Sequence, residues 1–115
     1  MNQILVVEDE AVIRAALRRL LERHEYRVSE AGSVKESLEK YDMDAFDVII
    51  SDLRLPGAPG TDLIKATSTP VLIMTSYSSI KSAIDSMKMG AVDYIAKPFE
   101  HNEIIEAVAK IIREN

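Results

Sequence analysis

Val48-Ile49-Ile50-Ser51-Asp52 is a short apolar run that ends in a carboxylate, and a turn rich in proline and glycine follows it at residues 56–60. A continuous apolar run of this length is typical of a strand that is covered on both faces. Two further runs of the same kind lie at residues 4–7 and 71–74. The sequence therefore predicts a sheet whose central strands are buried on both sides.

Amphipathic segments alternate with these runs along the chain. Apolar residues at helical spacing predict helices at residues 11–24, 79–89 and 102–113, and Ser33 with Glu36 forms a capping-box pattern that opens a helix at residues 33–41. Two less apolar strands are predicted at residues 26–31 and 94–96. This alternation predicts a doubly wound, flavodoxin-like α/β fold with a five-stranded parallel sheet in order 2-1-3-4-5 and helices on both faces.

Composition narrows the class of protein. We expect residues 1–115 to form one domain with its own core, and the absence of cysteine excludes disulfides and thiolate chemistry. The apolar runs are too short to span a membrane and no signal peptide is visible, so a cytoplasmic location is the default. The net charge of -5 argues against DNA binding by this chain, and we interpret its largest basic cluster as a solvated helix face: Arg14, Arg18, Arg19 and Arg23.

The residues that follow the predicted strands carry the chemistry. Because ligands bind beyond the carboxyl ends of parallel strands, we expect the residues at these ends to meet at one pocket: Glu8, Asp9, Asp52, Thr75 and Lys97. Clustered carboxylates repel each other, and a hard cation such as Mg²⁺ relieves that repulsion. An ammonium and a hydroxyl at the same rim suit phosphoryl oxygens. The set therefore favours a phosphate-bearing ligand together with a metal.

Four blocks of the chain, at residues 4–10, 47–57, 71–76 and 90–99, resemble in this order the receiver domains of response regulators in two-component signalling. The resemblance covers essentially the whole chain. It implies a signalling switch rather than an enzyme, in which Asp52 attacks in line and accepts a phosphoryl group from a phosphohistidine on a sensor histidine kinase.

The same resemblance implies roles for the residues around Asp52. Mg²⁺ is held, directly or through water, by a set of oxygen ligands: Glu8, Asp9, Asp52 and the backbone carbonyl of Arg54. Lys97 binds the phosphoryl group, and the Lys97-Pro98 peptide bond is cis. Thr75 and Tyr94 form the switch, with Thr75 moving toward the phosphoryl group and Tyr94 following. Taken alone, Tyr94 would more often be a packing residue.

The blocks look most like receivers of transcriptional activators that carry a central ATPase and a DNA-binding domain, so an output domain on the same protein is one possibility and a stand-alone receiver is another. We expect phosphorylation to change protein–protein contacts and to tune homodimer formation through the face of helix 79–89, strand 94–96 and the last helix. We interpret His24 and His101 as surface or helix-end residues. We expect Met87 and Met89 to pack, with an adaptable surface on a partner-binding helix as the alternative.

Two features depart from the family pattern. Glu8 stands where many relatives have Asp; Glu is tolerated at this position, although its additional methylene would shift the metal geometry. Asp52 and Thr75 are only 23 positions apart, which leaves a truncated third helix at residues 61–66. Tyr77 is a bulky residue two positions beyond Thr75, and the resemblance implies that it shields the acyl phosphate from water and slows dephosphorylation.

Two other classes of protein share this fold. A phosphohydrolase that uses an aspartyl phosphate pairs its nucleophile with a nearby second Asp, and Leu53-Arg54 offers none. A flavin or nucleotide carrier needs a first loop that cradles phosphate, whereas Glu8-Asp9-Glu10 would repel phosphate unless a metal intervenes. A yellow colour would indicate a flavin carrier, and turnover of simple phosphoesters would indicate a hydrolase.

Overall fold

A five-stranded parallel sheet forms the centre of the computed structural model, which describes residues 1–76 and 80–114. Its strands are β1 (Gln3–Val7), β2 (Arg27–Ala31), β3 (Val48–Asp52), β4 (Val71–Thr75) and β5 (Asp93–Ala96). The α-helices of the described residues are α1 (Ala11–Arg23), α2 (Val34–Lys40), α3 (Ile80–Lys88) and α4 (His101–Glu114). Two 3₁₀ helices occupy Met43–Ala45 and Gly60–Ala66.

The strand order is β2-β1-β3-β4-β5 and every neighbouring pair is parallel, as the sequence predicted. All residues of β3 and β4 are buried, whereas the edge strands β2 and β5 are only partly buried. The strand order reverses between β1 and β3. In sheets of this kind the crevice beyond the carboxyl ends at that point is where ligands bind.

Two apolar layers cover the sheet because successive side chains of a strand point to opposite faces. On one face, residues of β1, β3 and β4 pack against α1 and α4: Ile4, Val6, Ile50 and Met74 against Leu17, Leu21, Ile104 and Val108. On the other face, the alternate residues pack against α2 and the second 3₁₀ helix: Leu5, Ile49 and Ile73 against Val34 and Leu63. The polar strand ends thus emerge at the rim of a rigid sheet.

A capping interaction begins α2. The Ser33 Oγ accepts a hydrogen bond of 3.1 Å from the Glu36 N–H, as the pattern predicted. The reciprocal bond differs in detail, because Glu36 Oε1 accepts from the N–H of Gly32 at 2.8 Å rather than from Ser33. This bond and the ion pair to Lys40 lower the pKa of Glu36.

The helix between β3 and β4 is truncated, which confirms the prediction made from the short interval between these strands. Gly60–Ala66 forms a 3₁₀ helix and the chain then returns through Thr67, Ser68 and Thr69. The Thr67 hydroxyl and the Ser68 N–H donate to Asp44 Oδ1, and the Thr69 hydroxyl donates to two backbone carbonyls at 3.0 and 3.1 Å. These bonds tie the returning chain to the first 3₁₀ helix in place of helix packing.

The outer edge of β2 is partly closed by side chains of its neighbours. The backbone N–H and C=O groups of successive strand residues point to opposite sides of the strand. The Ala31 carbonyl points toward β1, since it accepts from the Glu8 N–H at 3.0 Å, so the backbone groups of Glu30 and Gly32 point away from the sheet. The Tyr41 hydroxyl donates to the outward carbonyl of Glu30 at 2.9 Å. The outward N–H of Gly32 donates to Glu36 Oε1.

The apolar stripe of α3 is turned substantially to solvent. Ile80 is 81% exposed and Ile84 is 47% exposed, while Ser86 is the buried residue of this helix. Met87 and Met89 are 46% and 40% exposed, so they are not core packing residues, and their exposure agrees with the alternative of an adaptable methionine surface. Helical periodicity alone does not indicate whether an apolar stripe faces the core or the solvent. Among the described helices, none is long and apolar enough to cross a membrane.

Candidate functional site

A cleft of about 400 Å³ opens beyond the carboxyl ends of the strands. Asp52 and Lys97 line it together with Ile13 of α1 and with residues of the loops that follow β1, β4 and β5: Glu10, Ser76, Pro98 and Phe99. A groove of about 430 Å³ runs along the β2 edge, but its charged residues largely pair with one another. The cleft at the strand ends is therefore the place for chemistry.

Asp52, which lines this cleft, belongs to a cluster of three carboxylates. One oxygen each from Glu8, Asp9 and Asp52 lies within 4.8 Å of the others. Glu8 has no exposed surface and Asp52 is 7% exposed, whereas Asp9 is exposed. The donor set fits Mg²⁺, which takes a small number of carboxylate oxygens and keeps water in its remaining positions.

Lys97 bridges two of these carboxylates. Its Nζ lies 2.5 Å from Glu8 Oε1 and 3.1 Å from Asp52 Oδ2. The backbone N–H of Lys97 donates to the carbonyl of Thr75 at 2.7 Å, and the Lys97-Pro98 peptide is cis, as we expected. The sequence predicted that Glu8 and Lys97 share this pocket, but it did not predict their direct ion pair, because Lys97 was assigned to the phosphoryl group.

The electrostatics of this cluster follow from burial and from the excess of carboxylates. Burial raises the pKa of Glu8, and repulsion from Asp52 adds to it, while hydrogen bonds from Lys97 and from the Glu10 N–H act in the opposite direction. Burial would lower the pKa of Lys97, but its hydrogen bonds to Glu8 and Asp52 outweigh this and raise it. Lys97 therefore carries its charge throughout the neutral range.

A glycine fixes the backbone behind Asp52. A Cβ on Gly60 would lie 2.1 Å from the Asp52 carbonyl oxygen and 2.4 Å from Ser51 Oγ, which no real side chain could tolerate without a shift of the backbone. The Gly60 N–H also donates to the Leu53 carbonyl at 2.9 Å. From the sequence we interpreted Gly60 as an ordinary turn residue. A close approach between two segments has no signature in the sequence.

Thr75 and Tyr94 lie on neighbouring strands. Thr75 pairs with Ala96 and Ile73 pairs with Tyr94, so Thr75 and Tyr94 point to the same face of the sheet. Thr75 is 1% exposed. Tyr94 is partly buried against the cluster that contains Ile73, and burial raises the pKa of its hydroxyl. The structure thus places the two predicted switch residues in adjacent rows behind the cleft.

The response regulator receiver domain family matches this chain over residues 4–109. The chain belongs to this family. The fold is that of known receivers: a crystal structure of a response regulator receiver domain protein from Clostridium thermocellum superimposes with a TM-score of 0.91 at 29% identity, covering 99% of this chain and 96% of that one.

Curated relatives of this receiver include longer regulators. Response regulator protein PilR of Pseudomonas aeruginosa is 36% identical over 97% of this chain and 26% of PilR. Transcriptional regulatory protein FixJ of Bradyrhizobium diazoefficiens is 32% identical over 98% of this chain and 58% of FixJ. The chain thus spans about a quarter of the one relative and little more than half of the other.

The remaining predicted residues are Arg54, Tyr77, His24 and His101. Arg54 is exposed, in the segment that follows β3, and the metal-binding role of its carbonyl stays a prediction. Tyr77, to which we assigned a shielding role, lies outside the residues that the structure describes. His24 and His101 are exposed, as predicted.

The arginine cluster of α1 is only in part the solvated face that we expected, because Arg19 and Arg23 are exposed whereas Arg14 and Arg18 are half-buried. The guanidinium groups of Arg14 and Arg18 both pair with Glu30 on β2, at 3.4 and 2.5 Å. Arg14 Nη1 also donates to the backbone carbonyl of Glu8 at 2.6 Å. Because an arginine contact with a backbone carbonyl leaves no trace in the sequence, residue type and spacing could not reveal it.

Proposed function

We propose that this receiver is a phosphorylation-dependent switch in which Asp52 accepts a phosphoryl group from a sensor histidine kinase. The observation that carries the proposal is the dual environment of the Asp52 carboxylate. One of its oxygens contacts the Lys97 ammonium at 3.1 Å, and the carboxylate also belongs to a three-carboxylate cluster suited to Mg²⁺. Both features are what a carboxylate needs in order to attack a charged phosphoryl group.

The residues take the following roles in the proposed transfer. An Asp52 carboxylate oxygen attacks phosphorus in line; the new O–P bond forms as the P–N bond to the donor histidine breaks, and the imidazole keeps the electron pair and takes up a proton. Glu8, Asp9, Asp52 and the Arg54 carbonyl would hold Mg²⁺, which when bound neutralises charge on the phosphoryl oxygens. Lys97 then exchanges its contact with the Asp52 oxygen for one with a phosphoryl oxygen.

The proposed readout runs through β4 and β5. The Thr75 hydroxyl donates to a phosphoryl oxygen, and Tyr94, which lies in the adjacent row on the same face, moves into the space that Thr75 leaves. This biases an existing equilibrium between two conformations rather than building new structure. The exposed apolar side chains of α3 and its C-terminal loop support this end of the molecule as the surface that changes partners: Ile80, Ile84, Met87, Met89 and Val92.

The proposed output is regulation of transcription through homodimer formation, with an output domain either on the same natural protein or on a partner. FixJ, a relative at 32% identity, is named a transcriptional regulatory protein, which supports this class of output. In this scheme the chain acts in the cytoplasm, contacts no DNA itself and is a switch rather than an enzyme.

The deciding experiment is the intact mass of the protein after incubation with acetyl phosphate and Mg²⁺. We expect wild type to gain one phosphoryl group, and we expect no gain in Asp52→Asn or after removal of Mg²⁺ with a chelator. An equal gain in Asp52→Asn would assign the acceptor to another residue. No gain in wild type from either acetyl phosphate or a panel of phosphorylated histidine kinases would overturn the switch itself.

A further inference from the structure

We infer that Arg14 is a positioning residue for the metal site. It holds the peptide that joins Glu8 to Asp9. The inference rests on the proposed Mg²⁺ site. It assigns a function to a side chain on α1 that lies outside the carboxylate cluster and is not one of the proposed metal ligands.

Arg14 fastens that peptide at a single atom. Its Nη1 donates to the Glu8 carbonyl at 2.6 Å, a short bond of the kind that charged donors make. On its other side, the Glu8 N–H donates to the Ala31 carbonyl at 3.0 Å, so both polar backbone groups of Glu8 are fixed. The Glu8 carbonyl belongs to the peptide that leads directly into Asp9. Its orientation therefore sets where the exposed Asp9 carboxylate can reach.

The guanidinium is itself held in place. Arg14 Nε pairs with Glu30 Oε1 at 3.4 Å, and Arg18 holds the other oxygen of the same carboxylate at 2.5 Å. The Arg14 side chain is only 24% exposed. An arginine can serve Glu8 and Glu30 together because its donors diverge in a rigid fork, which an ammonium lacks.

The direction in which the Mg²⁺ affinity changes on removal of Arg14 distinguishes a positioning role from a purely electrostatic one. A cation near a metal site repels the metal, so removing the Arg14 charge should tighten Mg²⁺ binding if charge alone matters. If Arg14 positions the acidic pair, its removal should weaken binding instead. Groups that orient metal ligands without touching the metal typically contribute roughly 10- to 100-fold to affinity.

The test is calorimetric titration of Mg²⁺ into the full chain of wild type, Arg14→Met and Arg18→Met. Arg18→Met is the matched control, since it removes the same charge from the same helix and the same partner Glu30 but has no bond to Glu8. We expect the Kd to rise about tenfold in Arg14→Met and to stay level or fall in Arg18→Met. Melting in chelator monitors the fold of each variant.

An unchanged or lower Kd in Arg14→Met would overturn the positioning role, and so would an equal rise in both variants. If wild type itself binds no Mg²⁺, the proposed metal site fails, which is a distinct result. Should Arg14→Met not fold, Arg14→Lys decides the question: it keeps the charge but loses the fork, so positioning predicts a weaker site and charge alone predicts a wild-type Kd.

Discussion

Lys97 Nζ lies 2.5 Å from the carboxylate of Glu8, a side chain without exposed surface. The ammonium therefore has two anionic partners, Glu8 and Asp52, and within residues 1–76 and 80–114 it is the cation that pairs with both. A buried carboxylate that loses its cation is left with an uncompensated charge, which is costly because the surroundings cannot solvate it. The unphosphorylated fold thus depends on the same side chain that the proposed chemistry uses.

Lys97→Met should destabilise the metal-free protein by about 3 kcal/mol at neutral pH. The raised pKa of Lys97 means that its contribution is complete at neutral pH and is lost only as the pH rises through that raised value. Since the pKa of Glu8 is raised as well, acidification protonates Glu8 and removes the unpaired charge. The loss should therefore shrink as the pH is lowered from neutrality. Urea unfolding at neutral and at acidic pH measures it.

The control for Lys97 is Lys81→Met, because the Lys81 side chain is 85% exposed and pairs with Asp85 only at the surface. We expect it to change the free energy of unfolding by less than about 0.5 kcal/mol. If the Lys97 variant were as stable as this control at neutral pH, the buried ion pair would not be a structural element of the receiver.

Gly60→Ala should destabilise the fold by about 2 kcal/mol or more, since its Cβ would meet the Asp52 carbonyl at 2.1 Å and the backbone would have to yield. Gly32→Ala is the matched control, because the nearest atom to its added Cβ is a flexible Glu36 oxygen at 3.4 Å. Chemical denaturation of both variants tests the difference. Equal stability of the two variants would mean that the backbone at the start of the second 3₁₀ helix shifts at no cost to accommodate a side chain.

Glu36→Gln should show a stability loss that depends on pH. The lowered pKa of Glu36 arises first from its bond with the Gly32 N–H and then from Lys40, so the carboxylate stabilises the fold above its ordinary pKa, near 4.3, and this contribution is lost as the pH falls through the lower folded value. The difference between wild type and variant should be largest at neutral pH. A difference that grew on acidification would contradict the assignment.

Ile84→Glu should abolish association of the phosphorylated receiver, because a charge would enter the exposed apolar face of α3. Val12→Glu is the control, since Val12 is also an exposed apolar residue, at 82%, but lies on α1. Sedimentation of each protein with acetyl phosphate and Mg²⁺ gives the result. We expect Val12→Glu to associate like wild type. Association of Ile84→Glu at wild-type strength would exclude α3 from the interface.

Much of the architecture was predictable because buried parallel strands are continuous apolar runs, as at Ile49 and Ile50. Once the strand order was inferred, the residues at the strand ends had to share one edge of the sheet, so the meeting of Glu8 with Asp52 and Lys97 followed. The truncated helix between β3 and β4 was also predictable, since the number of residues between these strands limits the number of helical turns.

The remaining features depend on tertiary geometry that residue type does not encode. Arg14 could have pointed into solvent and instead reaches the Glu8 carbonyl. Gly60 resembles any turn glycine until the Asp52 carbonyl is seen beside it. The α3 stripe around Ile84 has the same periodicity as a buried helix, and only the exposed fraction of its side chains distinguishes the two.

The hydroxyl of Tyr41 on the outward carbonyl of Glu30 has a consequence for behaviour at high concentration. An uncovered strand edge is a template on which other chains can extend the sheet, and this is a common route to aggregation. Here the acceptor at Glu30 and the donor at Gly32 are already occupied on the outer side of β2. These two contacts reduce the number of backbone groups at which another molecule could pair with the outer side of β2, and so make this edge a poorer template for a second sheet.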